Sequence, residues 1–181
     1  MSAQVPELLT PRLRLRDWGP DDLAPLAEIA ADPRVGEWLG GTRTQAEMER
    51  ALLAWQLHWQ ERGHGIWAAE ERASGRLIGR IGLMQWDDFD ACPDHDAEVG
   101  WTLHPSVWGR GLATEGARAA LDWGFRDRGM RLVISITLPT NRRSQRVMEK
   151  LGLTRRGQTF WRGYDQVWYA ITRPEWESSR G

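Results

Sequence analysis

Apolar residues recur along this chain at two spacings, one of two residues and one of three to four. Arg12-Leu13-Arg14-Leu15-Arg16 alternates strictly, which puts Leu13 and Leu15 on one face of a half-buried strand. Asp21-Asp22 then opens a helix carrying Leu23, Leu26, Ala27 and Ala30, and Asp32-Pro33 ends it. Thr44-Gln45-Ala46-Glu47 reads as a capping box. It starts a longer helix with Met48, Leu52, Trp55 and Trp59 on one face, closed by Arg62-Gly63. Two strands follow, over 65–70 and 76–84, joined by a hairpin turn at Ala73-Ser74-Gly75. After an acidic loop from Asp87 to Asp96 comes a strand around Val99, a small-residue loop and a helix from about Leu112 to Arg128. Leu132 to Leu138 is continuously apolar or β-branched, the pattern of a strand covered on both faces. A short helix over 141–151 stops at Gly152, and strands around 159–161 and 166–171 form a last hairpin. The predicted order is β-α-α-β-β-β-α-β-α-β-β.

Composition narrows the classes. The 181 residues suit one domain with its own core, with 41% hydrophobic and 27% charged residues. A net charge of -1 and no basic stripe argue against a nucleic-acid partner. Cys92 is the lone cysteine, so no intrachain disulfide forms and a reducing compartment is expected. Met1 to Thr10 lacks the basic-then-apolar pattern of a leader, and no apolar run approaches the ~18 residues of a membrane span. A cytoplasmic protein without a membrane partner is the resulting expectation. The 12 tryptophans read mainly as core and interface residues; exposed ones would favour a homodimer.

The densest chemical signal is Val107-Trp108-Gly109-Arg110-Gly111-Leu112-Ala113-Thr114-Glu115, placed between a strand and a helix. Small residues let backbone N–H groups approach an anion, and the helix start adds unpaired donors and partial positive charge. This is a grip for phosphate. A dinucleotide fingerprint would need glycine where Thr114 stands, and a Walker A loop would need Lys-Ser/Thr where Ala117-Arg118 stands. The four histidines show no metal-ligand spacing with Cys92, and Asp88-Phe89-Asp90-Ala91-Cys92 lacks the glycine and terminal glutamate of a calcium loop.

Three stretches together resemble the GNAT superfamily of acetyl-CoA-dependent N-acetyltransferases, most closely its ribosomal-protein N-terminal acetyltransferase (RimJ/RimL-like) branch. They are Thr10 to Arg16, Glu98-Val99-Gly100-Trp101 with Pro105 and Trp108 to Glu115, and Asn141-Arg142-Arg143-Ser144 with Val147 to Leu153. The resemblance covers nearly the whole chain. It implies an α/β fold in one domain over 1–181: a mixed, mostly antiparallel sheet flanked by helices on both faces. It also implies transfer of acetyl from CoA to a primary amine by direct attack in a ternary complex. The acceptor stays open between a protein N-terminus, a small-molecule amine and a polyamine. The alternative is a non-catalytic acyl-CoA-binding module.

The resemblance implies that the backbone of Trp108, Gly109, Arg110, Gly111, Leu112, Ala113 and Thr114 holds the pyrophosphate. It places Trp101, Thr102 and Leu103 beside pantetheine and the thioester carbonyl. Glu98 is the candidate general base. Ser144 is the candidate acid at the sulfur, and Asn141 and Ser144 position the cofactor. The plainer readings are a strand carboxylate for Glu98 and an N-cap for Asn141. Many superfamily members have a tyrosine acid where this chain has Met148, which has no proton to give. Trp86, Asp87, Asp88 and Phe89 are the expected acceptor contacts, with the acidic loop attracting cationic amines.

Overall fold

The computed structural model describes residues 5–179. Residues 1–4, which begin the stretch read above as lacking a leader, and residues 180–181, which end the expected 1–181 domain, lie outside the described residues. The strands are β1 (Leu8–Leu9), β2 (Leu13–Arg16), β3 (Ile66–Glu71), β4 (Arg76–Met84), β5 (Ala97–Leu103), β6 (Leu132–Thr137), β7 (Thr154–Trp161) and β8 (Tyr164–Thr172). The helices are α1 (Leu23–Ala31), α2 (Pro33–Leu39), α3 (Gln45–Arg62), α4 (Leu112–Arg126), α5 (Arg142–Lys150) and α6 (Arg173–Ser178).

The strands form one sheet in the order β1-β2-β3-β4-β5-β6-β8-β7, and only β5–β6 is parallel. Alternation decides what each face carries. Leu13, Leu15, Trp67, Ile81, Leu83 and Val99 pack with Leu112, Ala117, Leu121 and Phe125 of α4. Ile66 and Ala68, the intervening positions of β3, pack with Leu26 and Ala30 of α1 and Met48 of α3. Helices therefore cover both faces, as expected.

Two helices depart from the sequence reading. Asp32 does end α1, but its carboxylate also accepts the Arg34 N–H (2.9 Å), and Pro33 supplies the first residue of α2. Proline blocks a helix from continuing, yet its fixed φ suits a new start. The second, α6, starts from a capping box, Thr172 with Glu175, the same device that starts α3 at Thr44 and Glu47. At the hairpin end, β7 begins at Thr154, several residues before the expected strand.

None of the 12 tryptophans is exposed. Trp59, Trp67 and Trp123 pack ring against ring, and Trp18 and Trp59 both donate their indole N–H to the Ile66 carbonyl. The tryptophan argument for a homodimer therefore has no exposed ring to rest on. No helix of the described residues is long and apolar enough to cross a membrane.

Candidate active site

The parallel pairing of β5 with β6 stops after Ala97↔Val133 and Glu98↔Ile134. Next along, the Ser135 hydroxyl, instead of a backbone N–H, donates to the Val99 carbonyl (2.8 Å). The strands then separate, and a cleft of about 660 Å³ opens between Gly100–Leu103 and Ile136–Leu138. Alternate residues of β5 turn their backbone groups to opposite sides. His104 donates to Ile78 on the β4 side, whereas the Val99 and Leu103 carbonyls accept from Ser135 and the Trp108 indole. Trp101 lies between Val99 and Leu103, so its N–H and C=O face the opening.

At one end of the cleft lies the small-residue loop. Gly109 (φ 77°) and Gly111 (φ 80°) hold the left-handed conformation, which costs glycine nothing. Gly111 is the N-cap of α4. The N–H groups of residues 109–114 make no hydrogen bond among the described residues, so six donors are available to an anion. Trp108 differs from the expectation: its N–H donates to the Pro105 carbonyl (3.2 Å), and its indole ties the loop to Leu103 (2.8 Å). The Arg110 guanidinium turns outward to Glu71 (2.8 Å), which leaves its backbone N–H as its contribution.

The loop is braced from behind. Glu115, in the first turn of α4, accepts from the Thr10 hydroxyl (2.6 Å), the Arg12 N–H (2.8 Å) and Arg12 Nε (2.7 Å). A second nitrogen of Arg12 donates to the Arg110 carbonyl (2.8 Å). The Thr10–Arg12 stretch thus acts as a buttress for the loop. Facing the loop, α5 presents Arg143, Arg146, Val147 and Lys150 to the cleft. These three cations make no ion pair among the described residues, and Arg143 lies over the Trp108 ring (5.4 Å). Sequence reasoning missed them, although their spacing marks one helix face.

Glu98 stands where the sheet parts. It accepts a hydrogen bond from the Trp86 indole, and the Ile136 backbone N–H faces it and favours its charged form. Burial pushes its pKa above the usual carboxylate value, and these two donors and the charges of Arg80 and Arg162 only partly offset that. Its Oε1 lies 3.9 Å from the site of a Cβ on Gly100, whose missing side chain leaves the floor beside it bare. Asn141 and Ser144 line the same cleft. Asn141 is the N-cap of α5, accepting the Ser144 N–H (3.1 Å), while the Ser144 hydroxyl makes no hydrogen bond among the described residues. Met148 is wholly buried.

The far end of the cleft is lined by Val35, Trp38, Leu39 and Gly40 of the α2 region, Ile66, Arg80, Met84, Trp86, and Tyr164 and Gln166 of the last hairpin. The expected acceptor contacts are only partly brought here. Trp86 lines the cleft. Asp87 pairs with Arg62 (2.7 Å) and Asp88 with Arg162 (3.0 Å), and neither reaches the cleft wall. Phe89 is 2% exposed and packs edge-on against His95, Trp161 and Trp168. Asp87 and Asp88 are thus each paired with an arginine, and Phe89 is folded into the core.

The cleft thus combines a bare loop of N–H donors, a split sheet and a half-buried carboxylate at the split. Residues 12–154 match the acetyltransferase (GNAT) domain family model. The chain belongs to this family and is an acetyltransferase. FsC-acetyl coenzyme A-N(2)-transacetylase of Aspergillus fumigatus is 30% identical over 186 residues, covering 94% of this chain and 78% of the relative. An acetyltransferase structure from Agrobacterium tumefaciens is 28% identical with a TM-score of 0.80, covering 93% of this chain and 95% of the other. The aminoglycoside acetyltransferase AAC(6')-Ib, solved in complex with coenzyme A, is 25% identical with a TM-score of 0.74, covering 93% and 98%.

Proposed function

We propose that this enzyme moves acetyl from acetyl-CoA to a primary amine bound in the same cleft, by direct attack. The observation that carries the reading is the position of Glu98 and the Trp101 backbone where the loop-lined half of the cleft meets the aromatic half. The N–H groups of residues 109–114 hold the pyrophosphate, with Arg143, Arg146 and Lys150 adding charge. The Trp101 N–H donates to the thioester oxygen as negative charge develops there. Thr102 and Leu103 lie along the pantetheine arm. Asn141 and Ser144 lie at the thiol end.

A free alkylamine has a pKa near ~10 and arrives protonated. Glu98 takes a proton from the ammonium, the nitrogen attacks the thioester carbon, and the C–S bond breaks as the C–N bond forms. The nitrogen gives up its second proton as the amide forms, and the thiolate takes a proton from Ser144, which is reprotonated from solvent, or from solvent directly; the proton held by Glu98 is released to solvent. A carboxylate with a raised pKa is the stronger base, so burial of Glu98 suits the role. The ribosomal-protein branch is one acceptor class consistent with the motifs. The CoA complex of the aminoglycoside enzyme supports the cofactor assignment. The single cysteine supports a reducing, cytoplasmic setting for this reading.

Initial rates with both substrates varied test the mechanism. Direct attack gives intersecting double-reciprocal lines; parallel lines, the sign of an acetylated enzyme, would overturn it.

Two variants probe the cofactor half. A thiol has a pKa of roughly 8.5, so the leaving group needs only modest help. Ser144→Ala is expected to lower the single-turnover acetylation rate by about tenfold at most. An unchanged rate would remove Ser144 from the chemistry. Replacing Arg146 and Lys150 together with alanine is expected to raise KM for acetyl-CoA by about tenfold, with kcat kept. The difference should shrink at high salt, because screening weakens the wild-type attraction first.

A further inference from the structure

The charged side chains lining the cleft are Arg80, Glu98, Arg143, Arg146 and Lys150. Three belong to α5 at the cofactor end. The acceptor end keeps one carboxylate, Glu98, and one cation, Arg80. The register pairs Arg80 with Thr102, Gly82 with Gly100 and Met84 with Glu98. Side chains alternate along strands, so Arg80, Glu98 and the bare position at Gly100 share one face of the sheet. That face is covered by α1 and α3, opposite the face covered by α4.

Arg80 is half-buried, yet it forms no ion pair and no hydrogen bond among the described residues. Its guanidinium carbon lies 5.1 Å from the centre of the Trp55 ring. Arg62, Arg110 and Arg162 are paired, with Asp87, Glu71 and Asp88, whereas Arg143 and Arg146 at the cofactor end are unpaired among the described residues and face the anion-binding loop. Arg80 and Glu98 feel each other's charge without closing into a salt bridge. A half-buried guanidinium offers five donors in a planar fork, and here none of them is taken up among the described residues, so they are directed to whatever enters the cleft. Two unlike charges held apart over a side-chain-free floor complement a molecule carrying an ammonium and a carboxylate.

We propose that Arg80 is the carboxylate-binding residue of the acceptor subsite and that the acceptor is a small amino carboxylate, its amine at Glu98 and its carboxylate at Arg80. This assignment rests on the acetyltransfer reading above. Trp38, Met84, Trp86 and Tyr164 give the rest of the molecule an apolar and aromatic wall. Tyr164 packs against Gly40, so close that a Cβ there would lie 2.2 Å from the tyrosine oxygen. The last hairpin and the end of α2 therefore meet at this end, and a peptide chain would have to part them. A polyamine or other polycation would find a single carboxylate at this end, with the Arg80 cation beside it.

The test uses leucine, methionine and phenylalanine, each beside its primary amide and its decarboxylated amine. Thiol release from acetyl-CoA is read for the wild-type enzyme and for Arg80→Met, which keeps bulk against Trp55. Charge-assisted pairing predicts that the free acids are favoured by about 10- to 100-fold in kcat/KM. The amide's amine is the less basic, so the comparison is biased against this result. In Arg80→Met the acids should fall to the level of their amides, through KM. KM for acetyl-CoA and stabilisation by CoA should be unchanged, which shows that the variant is folded. Equal use of acids, amides and amines by the wild type would overturn the assignment without any variant. So would an Arg80→Met variant that loses all three equally or binds CoA poorly. Acetylation of N-terminal peptides but of none of these small molecules would overturn it as well. If no amine of any kind is acetylated, the acetyltransfer reading fails along with it.

Discussion

Glu98→Gln is expected to lower kcat/KM by about 10²- to 10⁴-fold near neutral pH, the usual contribution of a positioned base. The amide keeps an oxygen for the Trp86 indole, so the cleft should hold its shape. The pH profile separates base from scaffold. In the wild type, kcat/KM should rise as Glu98 ionises, at a pH above the ordinary carboxylate range because burial raises its pKa. The variant should lack that limb and recover only at high pH, where the amine deprotonates by itself. Stability should move the other way. A carboxyl whose folded pKa is raised costs stability as pH climbs from its unfolded to its folded value, and the cost stays above that. Glu98→Gln should therefore melt no lower than wild type at neutral pH. A fall in melting temperature together with an unchanged pH profile would mark Glu98 as a structural carboxylate.

Glu115→Ala should produce the largest loss of stability among the site variants. It strips acceptors from the Thr10 hydroxyl and from two nitrogens of Arg12, and hydrogen bonds to a largely shielded charge contribute ~1.5–3 kcal/mol. We expect a loss of about 2–3 kcal/mol, a drop in melting temperature on the order of 5–10 °C for a chain of this size. Because Arg12 also holds the Arg110 carbonyl, KM for acetyl-CoA should rise as the loop loosens. Burial opposes ionisation of Glu115, but the Thr10 and Arg12 donors outweigh it, so the net pKa is lowered. The sign follows. Its stabilisation is complete above the ordinary carboxylate pKa and is lost as pH falls through the lower folded value. Wild type and variant should accordingly converge in stability in acid. A constant difference down to low pH would point to packing rather than charge.

Much of this architecture was legible in the chain because local chemistry and the final fold agree. The Thr44–Glu47 box starts α3 in both, and Leu13 and Leu15 are buried as their alternation predicts. The loop was readable because its glycines are needed at positive φ. Missed elements were those in which one residue serves two neighbours, as Asp32 ends α1 and caps α2. The acceptor end was the least legible. Spacing cannot say that Asp87 and Asp88 will be neutralised by Arg62 and Arg162, residues about 25 and 74 positions away that only tertiary folding brings close. Nor does it show that Phe89 turns inward. Arg80 carried a faint signal, a lone charge inside an otherwise apolar strand, but its lack of a partner is visible only in three dimensions.

The central claim is that this cleft moves acetyl from CoA to an amine nitrogen without passing through the protein. The most direct measurement uses acetyl-CoA labelled in its acetyl group, a panel of primary amines, and mass spectrometry of the products and of the intact protein. Direct transfer puts the label on the amine nitrogen, releases one thiol per acetylated amine and leaves no label on the protein. A chain that is stabilised by CoA yet acetylates no amine, or one that carries the labelled acetyl itself, would contradict it.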